Sequence, residues 1–197
     1  MLKREDNELL VRVGPGTAMG DLFRRFWLPA LLPSELPTPD CDPVRLRILG
    51  ENLVAFRDSQ GRIGILDELC PHRRSSLFYG RNEACGLRCV YHGWKFDVDG
   101  NCVDQPSEPP SSSYKDKIKQ NAYPAREWGG FIWVYMGPAE QMPEMPDLEW
   151  GSLPASHRWQ AKWTYEANYA QGVDRDLARR FPVFAAAHKN TPRRSAI

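Results

Sequence analysis

Cys70-Pro71-His72-Arg73-Arg74 and Cys89-Val90-Tyr91-His92-Gly93-Trp94 are the two stretches whose reading decides the fold. Each offers one thiolate and one imidazole, so together they form a four-ligand metal site. A tetrahedral zinc ion accepts that set, and so does a [2Fe–2S] cluster in which two His replace two Cys on one iron. Ligand order separates the two. A zinc finger draws its two Cys from one short turn and its two His from a following helix, whereas here each loop gives one of each, as Cys-x-His and Cys-x-x-His. That order suits a centre with two distinct irons, Cys70 and Cys89 on one and His72 and His92 on the other. Neutral imidazole donates less negative charge than thiolate, which makes reduction easier than in an all-Cys ferredoxin.

Beyond the ligands, Cys70-Pro71-His72-Arg73, Ser76-Leu77 and Tyr91-His92-Gly93-Trp94-Lys95-Phe96 resemble the Rieske centre in the large subunit of Rieske non-haem iron ring-hydroxylating oxygenases. Pro15-Gly16-Thr17-Ala18-Met19-Gly20, followed by Arg24-Arg25-Phe26-Trp27, resembles the opening of the phthalate-dioxygenase branch, and Ala122 to Pro138 resembles the strand after the cluster. The resemblance implies a [2Fe–2S] cofactor on Cys70, His72, Cys89 and His92. It also implies a flavin- and ferredoxin-type reductase as electron source, a homo-oligomer (a trimer in that family), an aromatic acid substrate and a mononuclear Fe(II) in the intact enzyme. His72 or His92 then faces a neighbouring subunit. Respiratory Rieske proteins carry an extra Cys in each loop, joined as a disulfide; Ser75 and Tyr91 stand in those places. Their Ser and Tyr hydroxyl donors to the cluster sulfurs correspond to Trp94 and Phe96, so the expected potential lies near the low end of roughly −150 to +300 mV.

The 197 residues, 42% of them hydrophobic, suffice for one large domain or a domain and part of another. A net charge of +1 gives no field to recruit nucleic acid or an anionic membrane. No apolar run approaches a membrane span, and the start Met1-Leu2-Lys3-Arg4-Glu5-Asp6 is charged, so the expectation is a cytoplasmic protein without membrane or nucleic-acid partners. Five Cys is a poor disulfide count. Cys85, four residues before Cys89, is expected to be a passive thiol. Arg73-Arg74 reads either as a docking point for an electron donor or as a solvated basic pair, and Tyr91 and Trp94 as a shield over the cluster.

The fold class expected is mostly β: a Rieske-type antiparallel sheet domain with a short N-terminal helix and a fragment of an α+β catalytic domain. Residues 1–39 form the N-terminal arm and helix, 40–138 the Rieske domain, 139–154 a linker rich in proline, and 155–197 the start of a catalytic domain. Within the first part, residues 1–16 read as extended. Thr17 caps a helix through Trp27 that Pro29 ends, and Phe26 and Trp27 pack on the domain. Period-two alternation over 44–48 turns at Gly50-Glu51-Asn52 into Leu53–Arg57. A second turn at Asp58-Ser59-Gln60-Gly61 leads to 62–66 and the first loop. Residues 81–88 read as irregular, Asp97 to Asn101 as a hairpin turn, 107–113 as a surface loop, and 157–165, alternating Trp159, Ala161, Trp163 and Tyr165, as a strand.

In the resembled family the second domain opens on Asn-x-x-Gln-x-x-Glu and then Asp-x-x-His-x-x-x-x-His. Asn168, Gln171 and Asp174 match the first part; Ala178, Phe181 and Ala186 fall where the Asp and both His belong, and His188 is off register. The mononuclear iron is therefore not expected here, and this chain alone is expected to transfer electrons without oxygenating. Truncation or a frame change after about Asp174 accounts for such a tail; an amphipathic helix over 172–188 is the alternative. A stand-alone Rieske ferredoxin and a structural zinc module are the competing functions.

Overall fold

The computed structural model describes residues 3–178 apart from 110, 112 and 166, and for 174–178 the backbone alone. Three antiparallel sheets make up the fold. β2 (Val44–Ile48), β3 (Glu51–Arg57), β4 (Ile63–Asp67) and β9 (Ala122–Tyr123) run in the order β2-β3-β4-β9. β5 (Arg81–Glu83), β6 (Gly86–Arg88), β7 (Lys95–Phe96) and β8 (Cys102–Asp104) form a meander, and β10 (Ala125–Trp128) and β11 (Phe131–Tyr135) pair with β1 (Trp27–Leu31) in the order β1-β11-β10.

β3 explains how these layers stack. Its core, Leu53-Val54-Ala55-Phe56, is buried without alternation, as a strand covered on both faces requires. Leu53 and Ala55 join Ile65 in one core with Leu31, Leu36, Ile132 and Val134. Val54 and Phe56 join Leu66 in a second core with Leu77, Leu87, Trp94, Phe96, Cys70 and Cys89. Val44 to Ile48, by contrast, alternates half-buried with exposed, as an edge strand does. The β2–β3 turn is Leu49-Gly50, both at positive φ, so Glu51 and Asn52 already belong to the strand.

Other local readings are corrected as well. Residues 1–16 are not extended throughout: Arg4–Val11 is helix α1, carrying Arg4–Glu8 and Glu8–Arg12 ion pairs one turn apart. Its free C-terminal carbonyls are met by a distant segment, with Asn168 Nδ2 donating to Val11 O at 2.9 Å and Tyr169 Oη to Leu10 O at 2.6 Å. Thr17 does cap helix α2, its Oγ1 accepting from Gly20 N–H, but α2 ends at Phe23. Trp27 and Pro29 lie in β1, an outer strand where a missing N–H is tolerated. Trp27 is buried with its indole N–H on Pro143 O, whereas Phe26 is exposed.

Residues 81–88 are a regular hairpin, turned by Ala84 and Cys85 at positive φ without glycine. Finally, 157–165 is no strand: Trp159, Trp163 and Tyr165 stay exposed, because no neighbouring strand among the described residues receives the alternating edge. Helix α3 (Tyr169–Ala178) follows, and Phe181, Ala186, His188 and the rest of the expected 172–188 helix lie outside the described residues.

The proline-rich 139–154 segment is laid on the β1-β11-β10 sheet. Met145, Leu148 and Trp150 pack there, Trp150 against Trp128 and Phe131. Among the described residues no helix is long and apolar enough to cross a membrane.

Candidate metal centre

The two loops that carry the predicted ligands are one backbone structure used twice. Cys70 N–H donates to Ser75 O (2.9 Å) and Arg74 N–H to Cys70 O (2.9 Å). Nineteen residues on, Cys89 N–H donates to Trp94 O (2.8 Å) and Gly93 N–H to Cys89 O (3.1 Å). The residue that closes each turn has positive φ, Arg74 at 57° and Gly93 at 76°. Each sulfur is met by the amides two and three residues on: His72 and Arg73 for Cys70, Tyr91 and His92 for Cys89. What differs is the imidazole, two residues after the Cys in the first loop and three in the second.

Folding converges the four residues as two pairs. Both Cys are buried, in the core shared by the β2-β3-β4-β9 and β5-β6-β7-β8 sheets. The two thiols interact directly, and that interaction, helped by the loop amides and the Ser75 hydroxyl, lowers Cys89 below the ordinary thiol value against the opposing effect of burial. The same interaction, reinforced by burial, pushes the Cys70 thiol up. The His72 and His92 rings lie 4.7 Å apart between centroids. Among the described residues no three His, Cys, Asp or Glu close on one metal point; the donor set stands sulfur beside sulfur and ring beside ring. That arrangement fits a two-iron cluster, with soft thiolates for one iron and neutral imidazoles for the other.

Each loop is clamped at its base by an arginine and a carboxylate. In the first, Glu68 accepts from Ser76 Oγ (2.6 Å) and Arg45 Nε (2.8 Å), and the Arg45 guanidinium lies 4.0 Å over the Phe78 ring. Burial alone raises the Glu68 carboxyl, but these two bonds outweigh it and the net shift is down. Gln120, buried, donates to both Asp67 O and Leu69 O just before the loop. In the second, Arg88 bridges Glu83 (2.6 Å), Asp104 (2.8 Å) and Gly93 O (2.6 Å), and its bond holds the Glu83 carboxyl below the ordinary range.

The rings around the imidazoles differ too. Trp94, 3% exposed, stacks on His72 with centroids 4.3 Å apart and planes within 5°. Tyr91, 60% exposed, lies 3.8 Å from the His92 ring. Arg73 and Arg74 are exposed and form no ion pair among the described residues. Cys85 sits in the β5–β6 turn, its N–H on Ser59 Oγ, away from the sulfur pair. Sequence reasoning sought hydroxyl donors at Trp94 and Phe96 and missed Ser75, whose hydroxyl in the opposite loop helps lower the Cys89 thiol. Its place directly after Arg74, where respiratory relatives form a disulfide, was the available signal. Gln120, Arg45 and Arg88 carried none.

A family model described as the Rieske [2Fe-2S] domain matches residues 26–120. The phthalate 4,5-dioxygenase oxygenase subunit of Pseudomonas putida is 52% identical over 87% of this chain and 39% of its own length. The 3-chlorobenzoate-3,4-dioxygenase oxygenase subunit of Comamonas testosteroni is 47% identical over 90% of this chain and 41% of its own. Among solved structures, dicamba monooxygenase with non-heme iron and dicamba superposes with a TM-score of 0.56 at 30% identity, over 64% of this chain and 38% of that one. A carbazole 1,9a-dioxygenase oxygenase in complex with ferredoxin gives 0.54 at 27%, over 66% and 31%. This chain spans about two fifths of the curated relatives it matches. Doubled loop, paired donors and these likenesses agree: the chain belongs to the Rieske [2Fe–2S] family, among the ring-hydroxylating oxygenase subunits.

Proposed function

We propose that Cys70 and Cys89 hold one iron of the [2Fe–2S] cluster and His72 and His92 the other, and that the chain relays electrons within an oxygenase acting on an aromatic acid. The observation that carries this reading is that two equivalent loops bring both cysteines into one buried core and both imidazole rings to within 4.7 Å of each other. When bound, the cluster supplies one-electron storage. The protein's own part is mechanical and electrostatic. The sheets fix the loop bases, the loop amides and the Ser75 hydroxyl offset negative charge on sulfur, and Trp94 excludes water from one face of His72. Trp94 spends its N–H on Ser107 Oγ at 3.3 Å and the Phe96 side chain has no donor, so Ser75 alone opposes the shift toward the low end of the Rieske range that these two places favour.

The electron source is a flavin- and ferredoxin-type reductase. It meets the loop tips, where Val90 and Tyr91 of one loop and Arg73 and Arg74 of the other are exposed and the two arginines form no ion pair among the described residues, a surface suited to an acidic protein. Subunits of a homo-oligomer receive the electron at a mononuclear iron held outside the matched Rieske residues. The domain limits that accompany this reading are 1–39, 40–138, 139–154 and 155 onward. Anaerobic reconstitution with iron and sulfide, followed by metal analysis and electron paramagnetic resonance of the reduced protein, tests it. Two irons per chain with a mixed His/Cys Rieske signal are expected. A colourless protein holding one zinc, or a potential above about +200 mV, overturns it.

A further inference from the structure

We infer that Trp94 is a positioning residue for His72, a ring of the second loop that sets the orientation of the imidazole in the first. The inference rests on His72 being a cluster ligand, as proposed above. The torsion that orients a histidine ring has broad, weakly separated minima, so a ligand imidazole needs an outside surface to fix its plane. For His72 that surface is the Trp94 indole, parallel to within 5° at 4.3 Å.

The indole is itself held on three sides. Its N–H bonds Ser107 Oγ, the edge of Tyr114 meets it at 5.9 Å, and it is buried within the core that contains Cys70 and Cys89. Its backbone carbonyl meanwhile closes the second loop by accepting from Cys89 N–H. One residue therefore ties the backbone of one loop to the ring of the other. His92 has a different neighbour, the exposed Tyr91 beside it in its own loop, whose ring is tilted by 40°. The two imidazoles, both half-buried, thus have unlike neighbours: His72 lies against a buried ring of the other loop, and His92 beside an exposed ring of its own.

The test compares three variants of the reconstituted chain, Trp94→Leu, Trp94→Phe and Tyr114→Leu. The readouts are the histidine nitrogen hyperfine couplings of the reduced cluster, by pulsed electron paramagnetic resonance, and the reduction potential by voltammetry. In Trp94→Leu, one of the two histidine couplings is expected to shift and broaden while the other stays. The potential is expected to rise, because water replacing the indole favours the more negatively charged reduced form. Trp94→Phe, which restores a flat surface, brings the coupling back toward wild type. Tyr114→Leu removes one support of the indole but leaves the stacked face in place, and is expected to shift the same coupling by less than Trp94→Leu does. If Trp94→Leu retains its irons with unchanged couplings, or if Tyr114→Leu shifts them by as much as Trp94→Leu or more, the inference fails. Should Trp94→Leu lose its irons, a Trp94→Phe variant with displaced couplings decides against it and one with wild-type couplings for it. A wild-type chain without histidine couplings overturns the ligand assignment instead.

Discussion

The first and second loops share a backbone and differ in nearly everything attached to it. Both close with the same pair of hydrogen bonds, and both aim two amides at a sulfur. Yet the first bends through Arg74 where the second uses Gly93, rests on a glutamate with one arginine where the second rests on an arginine with two carboxylates, and carries its His one position earlier. The comparison teaches that the turn is what the metal chemistry demands, since it fixes sulfur and amides. The clamps are interchangeable solutions to holding a short loop still. The one-residue offset of the His is the remaining difference, His72 following its Cys by two residues and His92 by three.

The strongest challenge to this equivalence is to remove the sulfurs one at a time. Cys70→Ser and Cys89→Ser are each expected to lower iron content from two per chain to near zero, and retention of iron by either one breaks the symmetry argument. Next come the turn residues. Gly93→Ala places a side chain at φ 76° and against the Pro106 ring, and is expected to cost about 2 kcal/mol in a denaturant titration. Arg74→Gly removes comparable strain and is expected to change stability by no more than about 1 kcal/mol, partly offset by the freer unfolded chain. Equal losses at both sites would show that the turns are not equivalent.

Smaller still is the clamp on the first loop. Glu68→Gln is expected to cost about 1 kcal/mol at neutral pH through the weakened bonds to Arg45 and Ser76. Because the Glu68 carboxyl titrates lower folded than unfolded, its contribution is complete above the ordinary value of 4.5 and is lost as pH falls through the folded one. The gap between wild type and Glu68→Gln should therefore narrow progressively in denaturation curves taken at pH values falling below 4.5. Smallest in stability is the exposed tip: Arg73→Glu with Arg74→Glu should stay within about 0.5 kcal/mol of wild type. The pair should nevertheless slow reduction by an acidic ferredoxin in stopped flow, with a weaker dependence on salt.

Much of this arrangement was legible in the sequence because its determinants are local. Ligand spacing marked the loops, the continuous Leu53–Phe56 run marked a strand, and Thr17 marked a helix start. What was not legible depends on partners far along the chain. Helix α1 owes its place to Asn168 and Tyr169, over 150 residues away. The β5–β6 hairpin turns on Ala84 and Cys85, residues that advertise no left-handed conformation. The Trp159 to Tyr165 alternation promised a strand, but a pattern supplies only one side of a ladder. At the centre itself, the stack of Trp94 on His72 and the influence of Ser75 on the opposite thiol arise when two loops meet, and neither loop records the meeting in its own residues.

β3 has one more consequence. Its residues form a wall common to both interiors, Leu53 and Ala55 on one side, Val54 and Phe56 on the other. Damage on the side remote from the iron is therefore not contained there. On heating, bleaching of the visible absorption should coincide with loss of the far-ultraviolet sheet signal, and a substitution such as Ile132→Ala should advance both by the same number of degrees. The colour of the protein then serves as a gauge of its entire architecture.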